Sequence, residues 1–425
     1  MFRRSIMAVG PQEISYHMSS RFKYSVVSAS TCLSLMLLIG SVVGKGADQN
    51  DPLKQIGVFS DVVGYIKSQY VEEPDMKSVT LGALNGMLEA IDPFASYLNA
   101  DQYKEYKVYL DTRQTKPGDV GLVLSKKPGY MEVVAAVPDS PAAKAGFGTR
   151  DMIESIKGIS TRDMPLAYAN MLLAGNPGTT VEVSVVQVRH PEPQTITLTR
   201  SNVATLPLVI RPLDNQTGYI GVGTLSPERV KEVAAAIQKM QKDGEQRLIL
   251  DLRNCATGSP DSGIAMANLF LGKGRITYLK GQRVAQQNFD ADPSKAITTL
   301  PLAVLTNHGT ADGAEIAAAA LLGNQRAQVV GERTYGDAAQ RKALDMDDGG
   351  AILLSVAKYY SPDGKAIQDT GVTPSTTVAE PEPQIEFDEN GEPIPTAQEQ
   401  QPQQKKLEDD PVVKKAVEVL VSNKV

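Results

Sequence analysis

The sequence has little of what metal cages and disulfide frameworks need. Among 425 residues there are two cysteines, Cys32 and Cys255, three histidines and no CxxC pair. These residues are too few and too scattered for a cysteine-based zinc site or a disulfide scaffold. There is no excess of positive charge either, since the chain has 43 Lys and Arg residues and 49 Asp and Glu residues. The sequence also shows no local basic patch that could bind a phosphate backbone. We therefore expect no metal, no cofactor and no nucleic-acid partner.

One long uncharged apolar run is present near the amino end. Residues 26–44 follow Arg21 and Lys23 and lack charge. The run is long enough for a membrane anchor and also fits the apolar part of a signal peptide, so both remain open for residues 1–47. The residues before Cys32 match a lipoprotein signal poorly. We expect an exported protein of the bacterial periplasm or cell envelope, with membrane contact only through this segment.

The pattern of apolar and polar residues changes several times along the rest of the chain, which indicates several domains. Residues 52–116 have helical apolar periodicity and predict two or three helices, and residues 117–201 consist of short β-rich runs with one helix. Residues 205–376 alternate strands with helices, which is typical of a layered α/β sheet. The fold class we expect is α+β and multi-domain.

The carboxyl end is predicted to be a tether followed by a helix. Residues 379–410 are rich in Pro, Glu and Gln and show no apolar periodicity, so we expect a solvated linker. Asp410 can cap an amphipathic helix within residues 411–425, and the apolar positions of 412–420 need a surface to pack on. We expect that surface to be the main body.

Several collinear motifs resemble one known family. In chain order they are YVEEPDMKSVTLGALNGMLEAIDPFASYL, VGLVL, DSPAAKAGFGTRDMI, NPGTTVEV, LILDLRN, GAEIAAAALLGNQRAQVVGERTYG and AKYYSPDGKAIQDTGVTP. Together they resemble the C-terminal processing peptidases, or tail-specific proteases, which are serine proteases with a Ser/Lys dyad. The resemblance implies a helical N-terminal region, a PDZ-like domain, an α/β peptidase-like core, and endoproteolysis near substrate C-termini without metal or cofactor.

The two catalytic positions depart from the family pattern. The resemblance places the nucleophilic serine in a GSASASE-like turn, which reads GTADGAE here, and the lysine 25 residues later in a TFGKG-like segment, which reads TYGDA. Asp312 stands at the serine position and Asp337 at the lysine position, and 337 − 312 = 25 reproduces the spacing. The chemistry needs a hydroxyl nucleophile and a neutral lysine base, so neither catalytic group is present.

The supporting positions depart as well. Arg341 stands where the family has a glutamine, with Gln340 one place early. In the turn that the resemblance assigns to the oxyanion hole, NCATG replaces NNPGG, so that Thr257 replaces a glycine while Gly258 is kept.

Three interpretations of this changed site remain open. Thr310 could act as a displaced nucleophile with Lys342 or Lys365 as its base. Alternatively, Asp312 and Asp337 could share a proton or, with His308, bind a cation. The third interpretation is that both aspartates are polar remnants of a decayed site, with Arg341 pairing one of them.

The PDZ-like module suggests peptide binding. The resemblance assigns the carboxylate-binding loop to Val120, Gly121, Leu122 and Val123, whose N–H groups would meet the terminal carboxylate of an added strand. Leu166, Ala169 and Met171 would line the opposite wall. The alternative is that the module only packs on the core.

Two functions follow from these observations. The first is an inactive family member that binds protein C-termini or unfolded peptides, or that regulates an active relative. The second is a serine-type endopeptidase or other hydrolase with a non-standard site.

Overall fold

The computed structural model describes residues 52–112, 118–127, 130–162, 164–188, 190–203, 207–379 and 407–422, and isolated positions at 24–25, 28, 30–31, 386–387 and 393–394. Almost all of the predicted signal or anchor segment and most of the predicted tether lie outside these residues. Among the described residues, no helix combines the length and the apolar character that crossing a bilayer requires.

The chain divides into two compact units, residues 1–76 and 77–425. In the first unit the described helix is α1 (Pro52–Gln69). The helices that follow are α2 (Met76–Glu89), α3 (Ala100–Thr112), α4 (Pro141–Lys144), α5 (Leu166–Leu173), α6 (Pro227–Asp243), α7 (Pro260–Asn268), α8 (Gly313–Gly323) and α9 (Pro411–Ser422). The prediction of two or three helices within 52–116 is confirmed by α1, α2 and α3.

An antiparallel sheet forms the β-rich module. Its strands follow the order β3 (Leu122–Lys127), β4 (Tyr130–Ala136), β5 (Met152–Ile156), β7 (Thr180–Gln187) and β8 (His190–Thr199), with β6 (Ile159–Ser160) on β5. A two-stranded ladder of β2 (Gly118–Asp119) and β9 (Ser201–Asn202) closes the module. The buried faces of the sheet and α5 share one apolar core.

The α/β core contains a second sheet. Its order is β10 (Val209–Leu213), β11 (Thr217–Gly221), β12 (Arg247–Asp251), β15 (Leu302–Thr306), β16 (Gln328–Gly331) and β19 (Thr376–Thr377). In this sheet the adjacent strands β11, β12, β15, β16 and β19 run parallel to one another, and β10 is antiparallel to β11. Strand β15 is buried throughout, as expected for a parallel strand covered on both faces.

Helices cover both faces of this sheet. Side chains of α6, α7 and α8 share a core with one face. Val412, Val413 and Leu420 of α9 are buried against the other face. The Asp410 carboxylate accepts the N–H of Val412 at 2.8 Å, which confirms the predicted cap.

A third, antiparallel sheet carries part of the site. It follows the order β1 (Ser96–Leu98), β18 (Ala351–Tyr360), β13 (Arg275–Lys280) and β14 (Gln287–Asp290), with β17 (Ala339–Asp345) also paired to β18. The region predicted as helical therefore contributes one strand to the core. A short hairpin of β20 (Glu386–Phe387) and β21 (Pro393–Ile394) completes the described strands.

Candidate active site and peptide cleft

Asp312 lies where the β15–α8 loop enters helix α8. Its backbone has φ 54° and ψ −127°, a left-handed φ that is uncommon outside glycine, and its side chain does not cap the helix. Helices α8 and α7 approach each other closely at Gly263. A Cβ on Gly263 would lie only 2.0 Å from the Gly313 carbonyl oxygen. The Asp312 N–H donates to the Asp337 carbonyl at 2.9 Å. The two family positions are therefore adjacent in space.

The environment of Asp312 favours its protonated form. Burial, and then the nearby Asp337 carboxylate, raise the pKa of Asp312 to about 8, although Arg341 and the Gly313 N–H oppose the rise. At neutral pH this side chain is mainly a neutral carboxylic acid, which is a poor nucleophile.

Asp337 is bound to Arg341. Its side chain, 18% exposed, forms an ion pair with the Arg341 guanidinium, which also lies 4.3 Å from the centre of the Phe94 ring. Burial raises the pKa of Asp337, and the guanidinium opposes that rise. A register shift between Gln340 and Arg341 in the β17–β18 pairing interrupts the strand alternation here. The expected pairing of Arg341 with one aspartate is confirmed.

Neither aspartate is a solvated surface residue, which corrects part of the decay interpretation. Both side chains are largely covered by protein, because the Asp312 turn and the Asp337 loop pack against each other.

Glu315 holds the loop that contains Asp337, a role that the sequence analysis missed. This fully buried residue of α8 accepts the N–H groups of Gly336 and Asp337, each at 2.7 Å, and the hydroxyl of Thr334. Burial raises its pKa to about 8. The signal in the sequence was a carboxyl three positions into a helix that is otherwise apolar.

The turn that the resemblance assigns to the oxyanion hole has two residues with positive φ, Asn254 and Gly258. Asn254 has φ 55°, and its N–H donates to the Asn307 side chain at 3.0 Å. Gly258 has φ 143°, and a Cβ there would lie 2.7 Å from atoms of Leu225. Thr257 lines the neighbouring cleft. The turn therefore tolerates the change at 257 but requires glycine at 258.

The geometry does not support the displaced nucleophile. The buried Thr310 hydroxyl donates to the Leu252 carbonyl at 2.8 Å and accepts the Asn307 N–H at 3.1 Å. Lys342 is exposed, and exposed Lys365 pairs with Asp363. Thr310 thus holds the loop together.

His308 contacts Glu132 and Tyr335. Its Nε2 lies 3.5 Å from Glu132, and its ring packs 5.2 Å from the Tyr335 ring. The described residues contain no group of three His, Cys, Asp or Glu side chains that could hold a metal ion.

A cleft of about 780 Å³ connects the β-rich module with the aspartate site. Its module side is lined by Gly121, Leu122, Val123, Leu124, Leu166, Ala167, Asn170 and Leu173. Its core side is lined by residues that include Leu225, Thr257, Asp337, Arg341 and Leu353. An extended segment in this cleft would contact both the module and the site of Asp337 and Arg341.

Two predicted groove residues are placed differently. Ala169 is fully buried in the module core, because the cleft-facing side of α5 follows Leu166, Asn170 and Leu173 at helical spacing. Val120 is also fully buried. The prediction that both contact a peptide is wrong for their side chains.

The carboxylate-binding loop differs from its prediction as well. The Gly121 N–H was expected to meet a peptide carboxylate, but it donates to the side chain of Asp119 at 2.7 Å.

Comparisons with known proteins agree with this architecture. Residues 216–378 match peptidase family S41, and residues 132–187 match a PDZ domain. The chain is 33% identical over 324 residues to a carboxyl-terminal-processing protease of Synechocystis, covering 74% of this chain and 75% of that protein. It is 30% identical over 363 residues to carboxy-terminal processing protease CtpA of Bacillus subtilis, covering 84% and 76%. A solved photosystem II D1 C-terminal processing protease superimposes with a TM-score of 0.63 at 25% identity, covering 76% of this chain and 86% of that one.

Proposed function

Because this chain belongs to the carboxyl-terminal processing proteases of peptidase family S41, we propose that it has kept the peptide cleft of that family and lost peptide-bond hydrolysis. The observation that carries the proposal is that aspartates stand at 312 and 337, the two positions that the family resemblance assigns to the nucleophile and the base, within a fold that follows the family. Its function is then to bind peptides or unfolded protein segments.

The chemistry of the two positions supports lost catalysis. Acyl transfer by a Ser/Lys dyad needs an oxygen nucleophile that gives its proton to a neutral amine. A carboxylic acid with a pKa of about 8 stands at the first position, and a carboxyl paired with Arg341 stands at the second. The remaining oxyanion turn accelerates nothing without a nucleophile.

The continuity of the cleft supports retained binding. Leu122 and Val123 of the strand edge, with Asn170 on the facing helix, border a space that continues to Thr257 and Arg341. Extended peptides bind such edges through backbone hydrogen bonds, while side chains enter the flanking pockets. This favours segments that are already unfolded.

We propose the bacterial periplasm or cell envelope as the location. The support is the uncharged run at 26–44 after Arg21 and Lys23. Fractionation of cells that express the tagged chain checks this, and recovery in the cytosolic fraction alone would contradict it.

The binding proposal is tested with matched substitutions. A fluorescein-labelled, reduced and carboxymethylated casein is titrated into the purified chain and followed by anisotropy. Asn170→Arg fills the cleft wall and is expected to weaken binding at least tenfold, whereas Asn288→Arg, on an exposed strand, leaves it unchanged. Equal affinity of the two variants, or no binding by the wild type, would contradict the proposal.

A further inference from the structure

Asp119 lines the peptide cleft beside the loop of Gly121. It is the last residue of β2, where it pairs with Ser201 of β9, and its side chain lines the cleft. Its Oδ1 accepts the Gly121 N–H at 2.7 Å. This N–H belongs to the loop that would bind the terminal carboxylate of a peptide. A carboxylate from the chain itself therefore already occupies that donor.

The direction of this donor is set by tight packing. Gly121 has φ +80°, and a Cβ there would lie 2.2 Å from the Cβ of Ser140, which caps helix α4. The Val120 carbonyl in turn accepts the Ala142 N–H at 2.9 Å. The loop cannot turn its N–H toward another ligand without moving the start of α4, so a competing carboxylate has to displace the Asp119 side chain.

Arg200 supplies positive charge near Asp119. Arg200 is 4% exposed, and its guanidinium donates to the carbonyls of Leu172 and Leu173. Burial raises the pKa of Asp119 above its ordinary value, and the N–H groups of Gly121 and Val120 and the charge of Arg200 oppose that rise. A second carboxylate beside an ionised Asp119 would meet like-charge repulsion without a new counter-ion.

We propose that Asp119 is a built-in substitute for the peptide carboxylate, so that the cleft selects internal segments of unfolded proteins over free C-termini. This inference rests on the proposed peptide-binding function and names its ligand class. It reverses the preference for free C-termini that the family resemblance implied. Specificity then has two sources: the Asp119 carboxylate excludes free C-termini, and the cleft walls contact internal segments.

The test uses one apolar peptide in two forms. A fluorescein-labelled decapeptide ending in Val-Ala-Val is prepared as the free acid and as the amide, and each is titrated into the purified full chain. The wild type is expected to bind the amide as tightly as the acid or more tightly. Asp119→Gly, which frees the Gly121 N–H, is expected to bind the acid at least tenfold more tightly than the amide.

Two further variants protect the test against misfolding. Asp119→Asn keeps an oxygen acceptor for Gly121 but removes the charge, so its preference for the acid should lie between those of the wild type and Asp119→Gly. Asp243→Asn, an exposed carboxyl at the end of α6, should behave as the wild type. All four proteins should give the same circular dichroism spectrum.

The outcomes separate the inference from the proposed function. A wild type that binds the acid tenfold more tightly than the amide would overturn the inference and leave peptide binding intact. An Asp119→Gly variant that folds and shows no new preference would also overturn it. Absence of binding by every variant, with casein as well, would contradict the peptide-binding function itself.

Discussion

Asp312 is a buried acid at the position that the family resemblance assigns to the nucleophile, and its protonation links the site to stability. In the unfolded chain an aspartate has a pKa near 3.9, whereas the folded site raises the pKa of Asp312 to about 8. Between these values the unfolded chain releases a proton that the folded chain keeps. The contribution of protonated Asp312 is complete below about pH 4 and is lost as pH rises toward about 8.

The raised pKa of Asp312 predicts that replacing its carboxyl group by an amide will change how the free energy of unfolding depends on pH. Asp312→Asn should reduce the loss of unfolding free energy between pH 5 and pH 8 by about 3–4 kcal/mol relative to the wild type. Urea denaturation at both pH values measures the difference, with Asp243→Asn as the exposed control. A wild-type pH dependence that Asp312→Asn leaves unchanged would mean that Asp312 is ionised in the folded protein.

Restoring the dyad alone should not restore the enzyme. The double change Asp312→Ser and Asp337→Lys leaves Arg341, whose guanidinium would repel the new ammonium, and leaves Thr257 in the oxyanion turn. We expect little or no hydrolysis of casein from the double variant. Adding Arg341→Gln and Thr257→Gly should raise the rate at least tenfold. Robust proteolysis by the double variant would show that the rest of the site is intact.

At the scale of elements, the loop 334–337 depends on helix α8. Glu315 accepts two backbone N–H groups and one hydroxyl from this loop, and without it those buried donors lose their acceptor. Glu315→Ala should lower the free energy of unfolding by about 3 kcal/mol, and Glu315→Gln, which keeps one acceptor oxygen, by less. Urea titrations of the three proteins decide this, and equal midpoints would contradict the role.

Helix α9 is predicted to stabilise the core through its apolar face. Leu420 is buried against the parallel sheet, whereas its neighbour Val421 is 38% exposed. Leu420→Ala should therefore cost about 2–3 kcal/mol of unfolding free energy, and Val421→Ala less than about 0.5 kcal/mol. Thermal denaturation of both variants compares them directly. Similar melting temperatures would mean that α9 is not packed on the sheet in solution.

The sequence predicted these elements better than it predicted their contacts. Apolar periodicity identified α9 and its cap, and the spacing of 25 identified Asp312 and Asp337 as a pair. The roles of Glu315 and Asp119 depend on where backbone N–H groups point, which a residue pattern does not encode. A residue pattern also does not fix the rotation of helix α5 about its own axis, and that rotation places Ala169 in the module core rather than in the groove.

At the scale of the whole molecule, the peptide cleft extends without interruption from the β-rich module to Asp337 and Arg341. The β-rich module contributes the strand edge, the third sheet contributes Arg341 and Leu353, and the α/β core contributes Thr257. Between the module and the core, Tyr335 donates to Ser125 and packs on Phe94. A segment bound along the module would thus be brought to the site that contains Asp337 and Arg341.

The most direct test of this account is mass spectrometry of an unfolded substrate after prolonged incubation. Reduced, carboxymethylated casein is mixed with the wild type at equal concentration, with Asp312→Ala as a parallel sample. The account predicts intact casein in both samples, at concentrations where anisotropy shows it bound. Fragments that form with the wild type and disappear with Asp312→Ala would contradict the loss of hydrolysis.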